Sequence, residues 1–293
     1  MSTRKRARVN KLDFLVREYN TSRMSGILIE KLEKAIGNMG EFKNDNPIAS
    51  YVDYIASVPK PNPRLIERAK DFTCPKEVEK GLLMLETAIQ NGDDLLPWLS
   101  TRYTADSGNE KDYMRLLFDI THFHLGDKIQ NRGKSGNKIE RTGYLLYAYV
   151  TEDVVYELGI DNHGAWGELR WQEIITTNWP NILPKGCILH GIVDVSGPIP
   201  NANERLLLAK NGINSIGKIG DNIVLPMGGG VNGVGCSARA IIKSNKIKNY
   251  LRKIELELSK HVSQSELEKF SVIVERDFFI VDGGSIFHQK CYI

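Results

Sequence analysis

Apolar residues at helical spacing organise the first third of the chain. Leu12, Leu15, Val16 and Tyr19 recur every three or four positions, and Ile27, Leu28, Leu32, Ala35 and Ile36 continue the pattern until Gly37 and Gly40 stop it. Ile48 to Val58 is predicted helical and ends at Val58-Pro-Lys-Pro-Asn-Pro63, since proline fixes φ and removes an N–H donor. A helix resumes over Leu65 to Phe72. The clearest one covers Lys76 to Gln90, with Val78, Leu82, Leu83, Leu85 and Ile89 as its buried stripe. Residues 1–110 read as a helical region, a scaffold or interaction module, with Ala105 to Lys111 as its polar boundary.

From Tyr113 the period shortens to two. In Thr121-His-Phe-His-Leu125, alternation places His122 and His124 on one face of a strand and Phe123 and Leu125 on the other. The polar run GDKIQNRGKSGNKIER is predicted as a loop or hairpin tip. Tyr144 to Val150 and Val154 to Ile160, around Thr151-Glu-Asp153, form an antiparallel hairpin, and Trp166 to Trp179 a helix. Past Pro180, the pattern predicts a strand at Ile188 to Val195, a helix at Asn203 to Lys210, and turns at Ile213 to Gly220. Asn222 to Pro226 then leads into MGGGVNGVGCSARA, followed by a long helix through about His261. Phe270 to Val274 and Phe278 to Val281 make a last hairpin, and the terminal FHQKCYI docks on the body. The expectation is an α+β fold in three parts: the helical region 1–110, a central module with a small antiparallel sheet over 111–183, and an α/β region with a glycine-rich loop over 184–293.

Composition narrows the class. The 293 residues are 41% hydrophobic and 26% charged, enough apolar material for a core in two or three domains. The basic start MSTRKRARVNKLDF has no apolar block behind it, and no window reaches the roughly 20 apolar residues of a membrane span, so the expected location is the cytoplasm, with no membrane partner. Cys74, Cys187, Cys236 and Cys291 show no CxxC spacing and read as reduced, buried thiols. The net charge of +3 is small, but the cations cluster. Arg4, Lys5, Arg6, Arg8 and Lys11 form one group, Lys128, Arg132, Lys134, Lys138 and Arg141 a second, and Lys243, Lys246, Lys248, Arg252 and Lys253 a third. Each alone reads as a solvated face; together they point to a polyanion.

The central module concentrates chemistry. Ribose-hydroxyl attack on a phosphate needs a base, an acid and cations, and histidine suits the first two because it titrates near neutrality. His122, His124 and His163 are the candidates, with Arg141 for charge stabilisation, Tyr147 to orient a base or donate a proton, and Lys128, Arg132, Lys134 and Lys138 to bind substrate. The same three histidines also suit a metal site with an open position; no carboxylate or cysteine at fixed spacing reinforces it, so the favoured reading has no metal and no cofactor. The plainer alternative is a structural HxH strand. Gly229, Gly230, Gly233, Gly235 and Ser237 suit a phosphate nest before a helix, although the run lacks the Lys-Ser/Thr pair of a Walker loop; a flexible turn capped by Ser237 is the plainer explanation.

The segment LLYAYVTEDVVYELGIDNHG resembles the core of RelE/ParE-type toxins: an aliphatic strand with an inward tyrosine (Tyr147), an acidic turn, a second aliphatic strand and a histidine (His163). The resemblance covers residues 112–180. It departs at Tyr144, near where such toxins carry an arginine, and at Gly164, where an arginine follows the histidine. It implies a toxin-like or defence-type endoribonuclease acting on RNA, with a protein antitoxin or regulator as partner. The competing expectation is a non-catalytic binder of nucleic acid or protein with structural histidines.

Overall fold

The structure is a computed structural model that describes residues 26–39, 42, 46–100, 111–133, 136–164, 166–192, 195–233, 236–285 and 287–293. The helix expected over Leu12 to Tyr19, the first basic cluster, Lys134 and Gly235 lie outside these residues. The protein is α+β, with its strands in several small sheets. It divides into two compact units, one of residues 49–242 and one joining the described residues before 49 to those from 243 onward.

The larger unit is built on a four-stranded sheet of order β1-β6-β5-β2. Here β1 is Leu65–Arg68, β2 Ile120–His124, β5 Tyr144–Val150 and β6 Val154–Asn162. The expected hairpin is present as β5 and β6, antiparallel, with a bulge beside Tyr147 and Ala148. The helix expected at Leu65 is instead β1, parallel to β6 from Leu65↔Val154 to Arg68↔Glu157. The buried Arg64 explains the change. Its guanidinium donates to Lys60 O, Asn62 O and, at 2.8 Å, Thr151 O, tying the proline run to the β5–β6 turn and laying the next residues along β6.

Each face of this sheet has its own core. On one, Leu82, Leu85 and Ile89 of the helix Glu79–Asn91 pack with Phe123, Leu146, Ala148 and Val155. On the other, Met114, Leu117 and Phe118 of the short helix Tyr113–Phe118 pack with Ile120, Leu145, Tyr147, Leu158 and, from the helix Arg170–Asn178, Trp171 and Ile175. That last helix begins four residues later than its predicted start at Trp166. The basic run forms a small hairpin of β3 (Ile129–Asn131) and β4 (Asn137–Ile139). The strand predicted at Ile188 shrinks to β7 (Ile188–Leu189), which joins β8 (Gly217–Ile219), where turns were expected, and β9 (Asn222–Val224) in the order β7-β9-β8.

In the smaller unit the helix Ile27–Asn38 packs on a three-stranded sheet of β10 (Ser271–Val274), β11 (Phe278–Asp282) and β12 (His288–Tyr292). The tail, expected to dock on the body, does so as a third strand of this sheet. The buried Glu255 accepts from Leu28 N at 3.1 Å and Ile27 N at 3.4 Å, satisfying first-turn donors of a helix that has no side-chain cap of its own. Glu255 belongs to the long helix Ala238–Leu258.

Candidate active site

The strand β2 owes its position to the residue before it. Asp119 adopts a left-handed conformation (φ 58°) that ends the helix Tyr113–Phe118, and its carboxylate is held by Arg239 at 2.7 Å. The strand then pairs with β5 in the register His122↔Tyr147 and His124↔Leu145, so both histidines face the second core while Phe123 faces the first. His163 follows the last residue of β6. Tyr147 fixes that strand end by donating from its hydroxyl to Asn162 O at 3.1 Å.

The three histidines come together. Ring centroids are 6.5 Å apart for His122 and His124, 6.2 Å for His122 and His163, and 5.8 Å for His124 and His163. Trp166 stands at 5.0 Å from His122 and 5.5 Å from His163. The cluster is graded in depth. His122 and His124 are 1% and 3% exposed, Trp166 is half-buried, and His163 and Arg141 are exposed. Burial, reinforced by the charges of His122, His163, Arg141 and Arg132, pushes the His124 imidazole down to about 3, so it is neutral at physiological pH. The same causes place Arg141 and Arg132 within electrostatic reach of His124.

Asp112 is the group that sequence reasoning missed. One carboxylate oxygen caps the helix Tyr113–Phe118 by accepting from Arg115 N at 3.2 Å; the other lies 3.3 Å from His122 Nδ1, at ion-pair distance but off the hydrogen-bonding direction. An aspartate directly before an apolar run is a cap signal, and that signal was present at Asp112. Trp166, expected at the start of a helix, is the other residue not anticipated at the site.

Comparison with protein-family models, with curated proteins and with solved structures finds no match. The site is therefore read from its own geometry.

The remaining candidates are placed differently. Tyr147 is fully buried, stacks on Trp171 at 4.3 Å, and has its phenol pushed up by burial, so its hydroxyl braces β6 and is a poor proton donor. Lys138 is 2% exposed, and its ammonium donates to Leu96 O at 2.8 Å and Leu99 O at 3.4 Å; burial pushes it down to about 8. It braces the hairpin rather than facing substrate. Lys128 is exposed on that hairpin, and Arg132 folds back to donate to Gln130 Oε1 at 3.2 Å.

Over residues 228–232 the glycine-rich loop offers no free amide to a phosphate. Its amides from Gly228 to Asn232 are all committed: Gly228 N to Leu117 O, Gly229 N to Pro226 O, Gly230 N to Leu116 O, Val231 N to Asn214 Oδ1 and Asn232 N to Cys236 O. A Cβ at Gly228 would lie 2.2 Å from Arg115 O, so close backbone approach explains this glycine. Ser237 caps the long helix by accepting from Ala240 N at 3.0 Å, and Gly233 sits in the turn before it. Among the described residues no group of three or more His, Cys, Asp or Glu side chains is arranged to hold a metal ion, and no helix is long and apolar enough to cross a membrane. The four cysteines are free thiols.

Proposed function

We propose that the protein is a nucleic-acid-directed hydrolase, a metal-independent ribonuclease of toxin-like or defence type acting in the cytoplasm. The observation that carries this reading is the convergence of three imidazoles from β2 and the end of β6, with Asp112 behind one of them and Arg141 and Arg132 within electrostatic reach. His163 and Arg141, both exposed, meet the scissile phosphate first. His122 is the base: it removes the ribose 2′-hydroxyl proton as the oxygen attacks phosphorus, and the Asp112 carboxylate stabilises the imidazolium that forms. His163 is the acid, protonating the 5′-oxygen as its bond to phosphorus breaks and leaving a 2′,3′-cyclic phosphate. Arg141 offsets the negative charge that accumulates on the phosphoryl oxygens. His124 stays neutral throughout and orients. Access to His122 requires the exposed His163 side chain and Trp166 to shift.

The burial of His122 and His124 favours the second reading, a binding protein whose histidines are structural. Incubating the full chain with RNA separates the two. The nuclease reading expects cleavage that persists in chelator and falls about a hundredfold or more in His163→Ala, with Asp112→Asn reducing the rate constant more than the apparent affinity. Intact RNA at high wild-type concentration would leave only the binding reading. Growth arrest on expression, relieved by His163→Ala and by a co-expressed antitoxin or regulator, is the cellular counterpart.

A further inference from the structure

In the helix Ala238–Leu258, positions 243, 246, 250 and 253 follow the spacing of a single helical stripe, and they hold Lys243, Lys246, Tyr250 and Lys253. All four are exposed. Of the neighbouring cations, Lys248 pairs with Glu33 at 2.8 Å and Lys260 with Glu257 at 2.5 Å, while Arg252 donates to Asn249 Oδ1 at 2.8 Å. Among the described residues no carboxylate pairs with Lys243, Lys246 or Lys253. Tyr250 is 44% exposed. The result is an exposed aromatic ring within a line of positive charge about 15 Å long that no described carboxylate pairs with.

We infer that this stripe docks single-stranded RNA, with backbone phosphates on Lys243, Lys246 and Lys253 and a base stacked on Tyr250. The charge pattern is complementary to a polyanion, and an exposed tyrosine among lysines is what sequence-tolerant single-strand binding uses. The inference deepens the ribonuclease reading by naming its substrate class and rests on that reading for its biological purpose.

Fluorescence anisotropy with a short labelled single-stranded RNA tests it, using the full chain carrying His163→Ala so that the probe survives. Replacing all three lysines by glutamine is expected to weaken binding about tenfold or more and to reduce the slope of log affinity against log salt by about 2, at roughly 0.7 per phosphate contact. The triple arginine variant retains binding. Tyr250→Leu loses about fivefold or more with the slope unchanged. Undiminished binding by the glutamine variant, no binding by the full chain, or tighter lysine-dependent binding to phosphatidylserine vesicles than to RNA would overturn the proposal. Stripe-dependent binding without cleavage by wild type would sink the nuclease reading alone. Cleavage by wild type with equal binding by the glutamine variant would sink the docking surface alone.

Discussion

One face of the four-stranded sheet buries His122 and His124, and the other buries Glu157, which pairs in register with Ala148 of β5. Both faces take ionisable groups out of water, but they compensate for it differently. Glu157 receives a hydrogen bond from Arg68 Nε at 2.9 Å, and Arg68, itself 48% exposed in its side chain, also bonds Glu86. Burial still pushes the Glu157 carboxyl up to about 7, against the pull of Arg68 and with the help of Glu86. That group of three residues is explained by stability alone: a buried acid with a cation attached. Among the described residues the histidine face has no such cation bonded to it, and His122 Nδ1 and His124 Nδ1 make no hydrogen bond, although one oxygen of Glu157, Oε1, is unpartnered on the other face as well. Buried polar atoms without partners are costly and concentrate where function requires them. The faces therefore differ in what stands beside the buried group: a guanidinium for Glu157, and two further imidazoles for His124.

The largest effect is expected from breaking the structural face. Arg68→Ala leaves Glu157 buried without its cation and should cost about 3 kcal/mol at pH 8 by denaturant unfolding. The cost should shrink toward pH 5. Because the folded-state pKa of Glu157 is raised, its protonated form favours the fold, and that contribution is present below about 4.5 and lost as pH rises through about 7. RNA cleavage should be unaffected; a loss of cleavage at full folding would erase the distinction between the faces.

The histidine face has the opposite sign. His124 is held near 3 in the fold against an ordinary value of 6.5, so the neutral form favours folding. Its contribution is complete above about 6.5 and is lost as pH falls toward 3. Between pH 6.5 and 5 the wild type should lose about 2 kcal/mol that His124→Leu does not lose. Parallel pH profiles for the two proteins would show that His124 is not the buried neutral group described above.

The smallest effect concerns the hairpin that carries Arg132. Lys138→Met should cost about 1 kcal/mol by leaving Leu96 O and Leu99 O without a donor, with RNA affinity unchanged. Reduced affinity with the salt slope lowered by about 0.7 would instead return Lys138 to the binding set.

The parts of this arrangement that were legible in the sequence rest on local periodicity. Alternation in Thr121-His-Phe-His-Leu125 put both histidines on one face, and the aliphatic runs around Thr151 defined the β5–β6 hairpin. What was hidden depends on partners far along the chain. Leu65–Arg68 is extended because β6 lies beside it, almost ninety positions away in register, and no local pattern announces a short parallel edge strand. Lys138 reads as a surface cation until the hairpin folds over the turn at Leu96–Trp98. The glycines at 228–230 read as a flexible cradle, but their amides answer to carbonyls of the helix Tyr113–Phe118 and of Pro226. Asp112, between the polar boundary ending at Lys111 and the apolar run from Tyr113, drew no role because its partner His122 is brought near only when Asp119 turns the chain back.

That turn at Asp119 sets an order of assembly during synthesis. Asp112 and His122 are joined by one short helix and one left-handed residue, so closing the loop between them costs little entropy and can occur soon after β2 leaves the ribosome. His163 and Trp166 are two hairpins further on. A nascent chain therefore carries half of the constellation, and the half with His163 and Trp166 is added only when β6 has emerged and paired. An enzyme that attacks RNA would, by this order of folding, remain unarmed while the ribosome is still making its centre.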